Sequence, residues 1–462
     1  MINHLIILTI YFSNGSSTSN VTSVDSRVPK EKEQYIIYPG TERQSKKYRS
    51  DLQTLVGAEN VNEYGTSSAG VLFWLVNLDK SQAQDFSTGN PNAVIRKNEA
   101  LIERQYVKAA HQDNETTLRS PKVMRDRGIN YETNPPADLK VVSWPPNKLA
   151  KDLNYFAYDQ RGGRDVVLYV IEEGLDVQNP EFAFNQIAWR YAPIVRSTMT
   201  DDDSKFHGSC VVSKAVGTRY GISKGTSVVI VKSSLNESDV IWAFGNIADE
   251  MSQADGNRQR SVVLFASGSI VHFNPNRPFA PPEPWNRIRA FMRTIIGLDG
   301  IIVVPSGNGR RGSYRGMTDI LPAMFTRAPF GYLPLTLVGS CHNDGVEAPF
   351  SQQSPYIKAW APGSNVQCAQ APHEDEMESG TSVSAGMVAG LAAYFLGNAS
   401  PPFDVGGGQT ALNFNNFLRS KASWRRSSNA VPNMVWNLQD GTRVFPLPNS
   451  VNASNAPSVA VA

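Results

Sequence analysis

The chain has 462 residues and 44 basic against 42 acidic side chains, and its formal charge of +2 excludes the broad basic surface of a nucleic-acid-binding protein. Hydrophobic residues make up 41% and charged residues 19%, so the chain can bury a sizeable core and is not mainly disordered. Three cysteines without a Cys-x-x-Cys pair exclude both a disulfide framework and a cysteine-based zinc site.

The chain begins with a short apolar run from Leu5 to Phe12, which is too short to span a bilayer. It has the length of a signal-peptide core, although no Lys or Arg precedes it. We interpret residues 1–33 as a candidate signal and disordered segment and expect a secreted protein. No other run reaches transmembrane length, so no membrane span is predicted. The glycosylation sequons at Asn14, Asn20, Asn114, Asn236, Asn398 and Asn452 would suit secretion.

Residues 34–98 have the pattern of a small α+β domain. Strands are predicted at residues 35–38, 71–78 and 93–95, with one helix over 41–56 and a second from Asp79 or Ser81 to near Phe86. Residues 99–139 are polar and contain Pro135-Pro136, which is typical of a linker.

Residues 140–446 have the pattern of one large α/β domain. Continuous apolar runs predict strands that are buried on both faces, as in a parallel sheet, at residues 166–171, 228–231, 262–265 and 301–304. Helical apolar faces over 240–251 and 285–296 lie between these runs. The alternation predicts a doubly wound, mostly parallel sheet, followed by a flexible tail over 447–462.

Candidate catalytic residues follow the predicted strands, where open α/β sheets bind their ligands. Glu172 directly follows the first buried strand, and Asn308 lies just beyond the fourth. Ser382 opens a predicted helix that ends at Gly397, and His207 follows the acidic loop Asp201-Asp202-Asp203. An acid, a His and a Ser, each at the end or start of an element, could supply an orienting carboxylate, a base and a nucleophile.

The order and residue sequence of these motifs resemble those of the subtilisin-like serine proteases. Their nucleophile motif is Gly-Thr-Ser-x-x-x-Pro-x-Val-Ala-Gly, and residues 380–390 read Gly-Thr-Ser-Val-Ser-Ala-Gly-Met-Val-Ala-Gly. Their His motif, His-Gly-Thr/Ser-x-Val-x-Gly/Ser, is matched by residues 207–213. Residues 303–308 match an apolar strand ending in Gly-Asn, and 361–363 match Ala-Pro-Gly. The resemblance covers roughly residues 140–400.

The resemblance implies a serine endopeptidase with Ser382 as nucleophile, His207 as general base and Asn308 as a donor to the oxyanion. Extended polypeptide substrate would then lie along Ser267, Gly268, Ser269, Ser306 and Gly307. Residues 34–98 resemble the family's propeptide, which implies an intramolecular chaperone and inhibitor that is removed within the linker. We expect a monomer without a cofactor; family members often bind structural calcium, but no ligand set can be assigned in this sequence.

Two positions depart from the family's pattern. Glu172 stands where the family has its catalytic Asp, so the charge is kept on a side chain one methylene longer. Other hydrolase folds use Glu to orient the His. Gly386 stands where the family has Pro, and we expect this glycine to lower stability through its backbone freedom rather than to alter the chemistry.

Other motifs allow competing interpretations. Residues 307–312 match Gly-x-Gly-x-x-Gly, but no helix is predicted to begin there, which disfavours a dinucleotide site. Residues 373–376 form a charged run without the spacing of metal ligands on a helix. Cys341 and Cys368 could pair if the protein is secreted, with Cys210 as a buried free thiol.

Three hypotheses of function therefore stand. The first is an active endopeptidase with a Ser382–His207–Glu172 triad. The second is an inactive homologue that binds peptide or protein without cleaving it. This hypothesis is based on the departures from the family pattern at Glu172 and Gly386. The third is a sedolisin-like acid protease, which also uses Gly-Thr-Ser but has Glu in place of the His. A pH optimum near neutral would exclude the third.

Overall fold

The computed structural model describes residues 31–102 and 122–445, except 147, 184, 199–202, 204–205, 254–259, 272–280, 310–315, 329, 371–374, 421–422 and 425–433. Most of the predicted signal segment and the whole predicted tail from residue 447 lie outside the described residues, as do the sequons at Asn14, Asn20, Asn114 and Asn452. In the described part, no helix is long and apolar enough to cross a membrane.

The N-terminal unit is an antiparallel sheet in the order β2-β3-β1-β4 with two helices. Its elements are β1 Glu33–Ile37, α1 Glu42–Val56, β2 Asn62–Thr66, β3 Gly70–Leu78, α2 Lys80–Gly89 and β4 Ile95–Lys97. Thr41 and Asp79 each cap their helix in a capping box with the Gln three residues on. The predicted strands and helices are confirmed, but β2 was not predicted, because this polar edge strand has no buried residue to create an apolar alternation.

The two faces of this sheet pack against different partners. Side chains on one face, such as Tyr35 and Ile37, form a core with α1 and α2. The intervening residues Ile36 and Tyr38 belong to the core of the large domain. Because strand residues alternate between faces, β1 is buried on both sides, which fixes its register against both partners.

Part of the predicted linker is a β-sheet. β5 Val123–Asp126 and β6 Ile129–Thr133 form a hairpin, and β6 pairs with β7 Tyr155–Asp159. The linker prediction is therefore wrong for these residues. It failed because buried β6 carries polar side chains; Glu132, for example, is neutralised by Lys224 at 3.2 Å. A short helix, α3 Ala137–Lys140, follows the hairpin.

The large domain is built on a nine-stranded sheet in the order β19-β20-β16-β15-β13-β11-β8-β10-β9. All neighbouring strands are parallel except β19 and β20. The strands are β8 Val166–Glu172, β9 Ile187–Tyr191, β10 Ser227–Lys232, β11 Arg260–Leu264, β13 Ile301–Pro305, β15 Thr336–Cys341, β16 Ala359–Pro362, β19 Ser423–Trp424 and β20 Met434–Val435. The four predicted buried strands are β8, β10, β11 and β13, so the predicted doubly wound α/β class is confirmed.

Among the described residues, five helices flank this sheet, namely α4 His207–Val216, α5 Glu237–Gln253, α6 Glu283–Gly297, α7 Thr381–Gly397 and α8 Thr410–Ser420. The predicted apolar faces at 240–251 and 285–296 lie in α5 and α6. Helix α7 is buried all round, as expected for a helix with no polar face. Two small antiparallel pairs complete the fold: β12 Ser269–Ile270 with β14 Ile320–Leu321, and β17 Val366–Ala369 with β18 Asp375–Glu378.

The N-terminal unit docks on α5. Glu237, in the first turn of α5, accepts hydrogen bonds from the Tyr38 hydroxyl and from Arg96 Nε at 3.1 Å. Burial raises the pKa of the Glu237 carboxyl, against the opposing effects of Tyr38 and Arg96. Beyond the unit, the backbone N–H of Leu101 donates to the Leu235 carbonyl at 3.1 Å. The chain leaving the unit therefore runs along the surface of the large domain.

The cysteine expectation is wrong. Cys210 of α4 is bonded to Cys368 of β17, with their Cα atoms 4.9 Å apart, and Cys341 lies outside the bridge, buried in the central sheet. The pairing depends on α4 packing beside β17, which sequence spacing does not reveal.

Gly386 has a packing role that was not predicted. A Cβ at this position in α7 would overlap the carbonyl oxygen of Val211 in α4. The glycine therefore permits a close approach of the helices that carry Ser382 and His207. Its backbone freedom was expected to lower stability, but any larger side chain would clash here.

We predict that Gly386→Ala lowers the free energy of unfolding by about 1–3 kcal/mol, the usual range for overpacking a close contact. The control is Gly297→Ala at the end of α6, where a Cβ would meet nothing within 4 Å. This control should be neutral or gain up to about 1 kcal/mol from helix propensity. Urea unfolding measures both, and a stability of Gly386→Ala equal to that of Gly297→Ala would contradict the packing role.

Candidate active site

The candidate residues lie at the carboxyl ends of the central strands and the first turns of two helices. Glu172 is the last residue of β8, and Asn308 follows β13 by three residues. His207 is the first residue of α4, and Ser382 is the second residue of α7. A helix N-terminus presents unsatisfied N–H groups and the positive end of the helix dipole, which stabilises negative charge.

Glu172 and His207 are in direct contact. Glu172 Oε1 lies 3.0 Å from His207 Nδ1, and the Glu172 side chain is fully buried. The second carboxylate oxygen accepts the backbone N–H of Glu173 at 3.2 Å. With Nδ1 donating to the carboxylate, the other ring nitrogen, Nε2, is the one that can accept a proton. The extra methylene of Glu172 therefore does not prevent the carboxylate from orienting the imidazole.

The first turn of α4 is held by a second buried carboxylate. Asp203 Oδ2 accepts the backbone N–H of Ser209 at 2.6 Å, and Asp203 is only 3% exposed. Burial raises the pKa of the Asp203 carboxyl, and the negative charge of Glu172 acts in the same direction. A Cβ on Gly208 would overlap the carbonyl oxygen of Gly174, so the start of α4 is pressed against the chain after β8.

The sequence places Asp203 in an acidic loop but predicts no role for it. Its position four residues before His207 was the available signal, because a carboxylate just before a helix often caps it. The other two acids of that loop, at 201 and 202, lie outside the described residues.

Asn308 is linked to the residue before the nucleophile. Its side-chain Oδ1 accepts two hydrogen bonds from Thr381, one from the backbone N–H at 2.9 Å and one from the hydroxyl at 2.8 Å. The Thr381 hydroxyl in turn accepts the backbone N–H of Gly307 at 3.2 Å. With Oδ1 occupied, the amide Nδ2 is left to donate elsewhere. Sequence reasoning assigned no role to Thr381.

Asn308 Nδ2 and Ser382 Oγ both lie close to Gly380. A Cβ built on Gly380 would lie 3.0 Å from Ser382 Oγ and 3.6 Å from Asn308 Nδ2. A donor close to a nucleophilic oxygen is the arrangement that stabilises an oxyanion in acyl transfer.

The predicted substrate-binding residues differ in accessibility. Gly268 and Ser269 follow β11 and are partly exposed, and Ser269 pairs with Leu321 in the β12–β14 ribbon. Ser306 is fully buried and donates its backbone N–H to the Val338 carbonyl at 2.8 Å. Ser267 and Gly307 are also buried. A bound peptide could therefore contact Gly268 and Ser269, whereas the side chain of Ser306 is not accessible to it.

The competing motifs find no further support. No helix begins among the described residues that follow β13, 306–309 and 316–319, whereas a dinucleotide motif needs one there. Residues 310–312 of that motif, and His373 and Glu374 of the charged run, lie outside the described residues. Within the part that is described, no three His, Cys, Asp or Glu side chains are grouped to hold a metal ion.

A carboxylate–His pair, a Ser at a helix N-terminus and a nearby amide donor define a serine-hydrolase type of site. A model of the subtilase family matches residues 163–406, just over half of the chain, and the chain belongs to this family.

Curated relatives and solved structures agree with this assignment. The chain is 26% identical to Subtilisin-like protease 2 of Trichophyton rubrum over 310 residues, 64% of each chain. It is 28% identical to Subtilisin-like protease 5 of Arthroderma gypseum over 258 residues, 54% of this chain and 57% of that one. The aligned region is thus about half to two thirds of these relatives' length.

Two solved structures share the fold. A cold adapted subtilisin-like serine proteinase matches with a TM-score of 0.51 and 22% identity, over 67% of this chain and 100% of that one. The epidermin leader peptide processing serine protease of Staphylococcus aureus matches with a TM-score of 0.58 and 14% identity, over 89% and 98%.

We predict that Glu172→Gln lowers kcat/KM for peptide hydrolysis by roughly three to four orders of magnitude, because a neutral amide no longer stabilises the charged imidazole. Glu172→Asp should lower it by about ten- to a hundredfold, because the carboxylate is withdrawn by about one C–C bond from its 3.0 Å contact. A fluorogenic peptide assay measures both. A large gain with Glu172→Asp would mean that glutamate impairs the site.

Proposed function

We propose that the chain is a serine endopeptidase that hydrolyses peptide bonds through an acyl-enzyme. The 3.0 Å contact between Glu172 and His207 carries this proposal, because it supplies the oriented base that the Asp-to-Glu replacement had put in question. Membership of the subtilase family supports the reaction class.

In the proposed reaction, Ser382 Oγ bonds to the substrate carbonyl carbon while His207 Nε2 takes the hydroxyl proton. The resulting oxyanion receives hydrogen bonds from Asn308 Nδ2 and the backbone N–H of Ser382. Collapse of this intermediate breaks the C–N bond, and the leaving amine takes the proton from His207. Water then attacks the acyl-enzyme by the same route, which releases the acid and restores Ser382.

The experiment is labelling with a fluorophosphonate, which reacts with an activated serine. The mature protein, from which residues 34–98 have been removed, should be labelled, whereas the matched variant Ser382→Ala should not. Equal labelling of both proteins would show that Ser382 is not the reacting serine. Absence of labelling in both, together with retained peptide binding, would instead identify the inactive, peptide-binding homologue.

We further propose that residues 34–98 act as an inhibitory propeptide and that the protein is secreted. Docking of this unit on α5 supports the first role. The Cys210–Cys368 disulfide supports the second, because disulfides form and persist in oxidising compartments. The site of maturation is expected in the predicted linker, of which residues 103–121 lie outside the described residues.

Leu72→Asp is the variant that tests inhibition. Leu72 of β3 is buried against the large domain, near Gly245 of α5, and takes no part in the unit's own core. A buried charge there should weaken docking and raise the fluorophosphonate labelling rate of the unprocessed chain by about tenfold or more. Thr54→Asp, on the exposed side of α1, adds the same charge without affecting the interface. Equal labelling rates of the two variants would argue against inhibition.

A further inference from the structure

The Cys210–Cys368 disulfide joins α4, which begins with the proposed base, to strand β17. Cys210 follows His207 by three residues, so both lie on the same side of α4, about one turn apart. Both cysteines belong to a small apolar cluster with Val366 and Val383, separate from the main core. Val383 follows Ser382 directly in α7. The bridge is therefore covalently part of the helix of the proposed base, and its apolar cluster includes a residue of the helix of the proposed nucleophile.

Strand β17, which carries Cys368, is joined to α4 at two further points. The backbone N–H of Ala369 donates to Ser213 Oγ at 3.1 Å, and Lys214 Nζ donates to the carbonyl oxygen of Gln367 at 3.0 Å. These hydrogen bonds lie one turn or more beyond Cys210, away from His207. Of the three ties between β17 and α4, the disulfide is thus the nearest to His207.

On its other side, β17 is joined to the segment that leads into Ser382. Strand β18 pairs with β17 in antiparallel register, with Val366 opposite Glu378. The backbone N–H of Asn365 donates to Ser379 Oγ at 2.8 Å, and that of Gly380 donates to the carbonyl oxygen of Gly363 at 2.8 Å. The hairpin formed by β17 and β18 therefore connects the disulfide to the turn immediately before α7.

We propose that the Cys210–Cys368 disulfide is a positioning element for catalysis, which holds His207 at its working distance from Ser382 by clamping α4 to the β17–β18 hairpin. The proposal rests on the proposed peptidase function. A displacement of about 1 Å between reacting groups costs up to about a hundredfold in rate. A bridge with a merely structural role would change stability and leave the rate of the folded protein unaltered.

The test compares the wild-type chain with Cys210→Ala/Cys368→Ala, at a temperature well below the Tm of both. We expect kcat per folded molecule to fall at least tenfold while KM changes by less than twofold. Cys341→Ala removes a buried thiol outside the bridge and should keep the wild-type kcat. Leu418→Ala in α8 is the control for lost stability, with a lower Tm and an unchanged kcat. A folded double variant with kcat within twofold of wild type would overturn the proposal.

A second measurement tests the proposal without the double variant, in case that variant does not fold. In the Cys341→Ala background, dithiothreitol is added and the thiols released are counted by alkylation, while circular dichroism follows the fold. Labelling by fluorophosphonate should slow at least tenfold in molecules with two alkylated thiols and a native spectrum. Undiminished labelling of those molecules would overturn the positioning role alone. Absence of Ser382-dependent labelling in the untreated, mature wild type would overturn both this role and the proposed function.

Discussion

The hydrogen bond between Glu172 and His207 forms only when the end of β8 and the start of α4 are correctly placed relative to each other. Glu172 is completely enclosed, and a buried carboxylate is stable only when its oxygens are hydrogen-bonded. One oxygen receives the imidazole, so this hydrogen bond depends on where α4 begins relative to the end of β8, and the other accepts the backbone N–H of the adjacent Glu173. A displacement of α4 would separate the buried carboxylate from the imidazole. The start of that helix is therefore tightly constrained.

Polar contacts and close backbone packing add to the apolar core and the disulfide in holding α4 in place. Asp203 fixes its first turn, and Lys214 in its last turn forms a fully buried ion pair with Asp138 of α3. On the side facing α7, glycine at 386 allows the helices to approach at backbone distance. Buried ion pairs add little net stability but penalise alternative arrangements strongly. These contacts therefore favour one specific position of the helix.

The sequence could predict the elements that are apolar throughout or along one face. Apolar runs identified the central strands β8, β10, β11 and β13, because a strand covered on both faces needs no polar alternation. The sequence did not predict strands β2 and β6. Strand β2 is an exposed edge, and β6 buries polar groups such as Glu132 beside Lys224. At the site, ordered motifs indicated Glu172, His207, Asn308 and Ser382. The disulfide and the role of Thr381 depend on contacts between distant segments, which no local pattern encodes.

The replacement of the expected Asp by Glu can be understood from the same geometry. Glu172 differs from aspartate by one C–C bond, and its carboxylate still reaches His207 at 3.0 Å. In the proposed reaction the carboxylate only orients the imidazole and stabilises its charge, so its distance and burial matter more than the length of the side chain that carries it. A longer side chain has one more torsion to restrict, and enclosure at the end of β8 supplies that restriction. The packing around the carboxylate thus compensates for the methylene that the sequence adds.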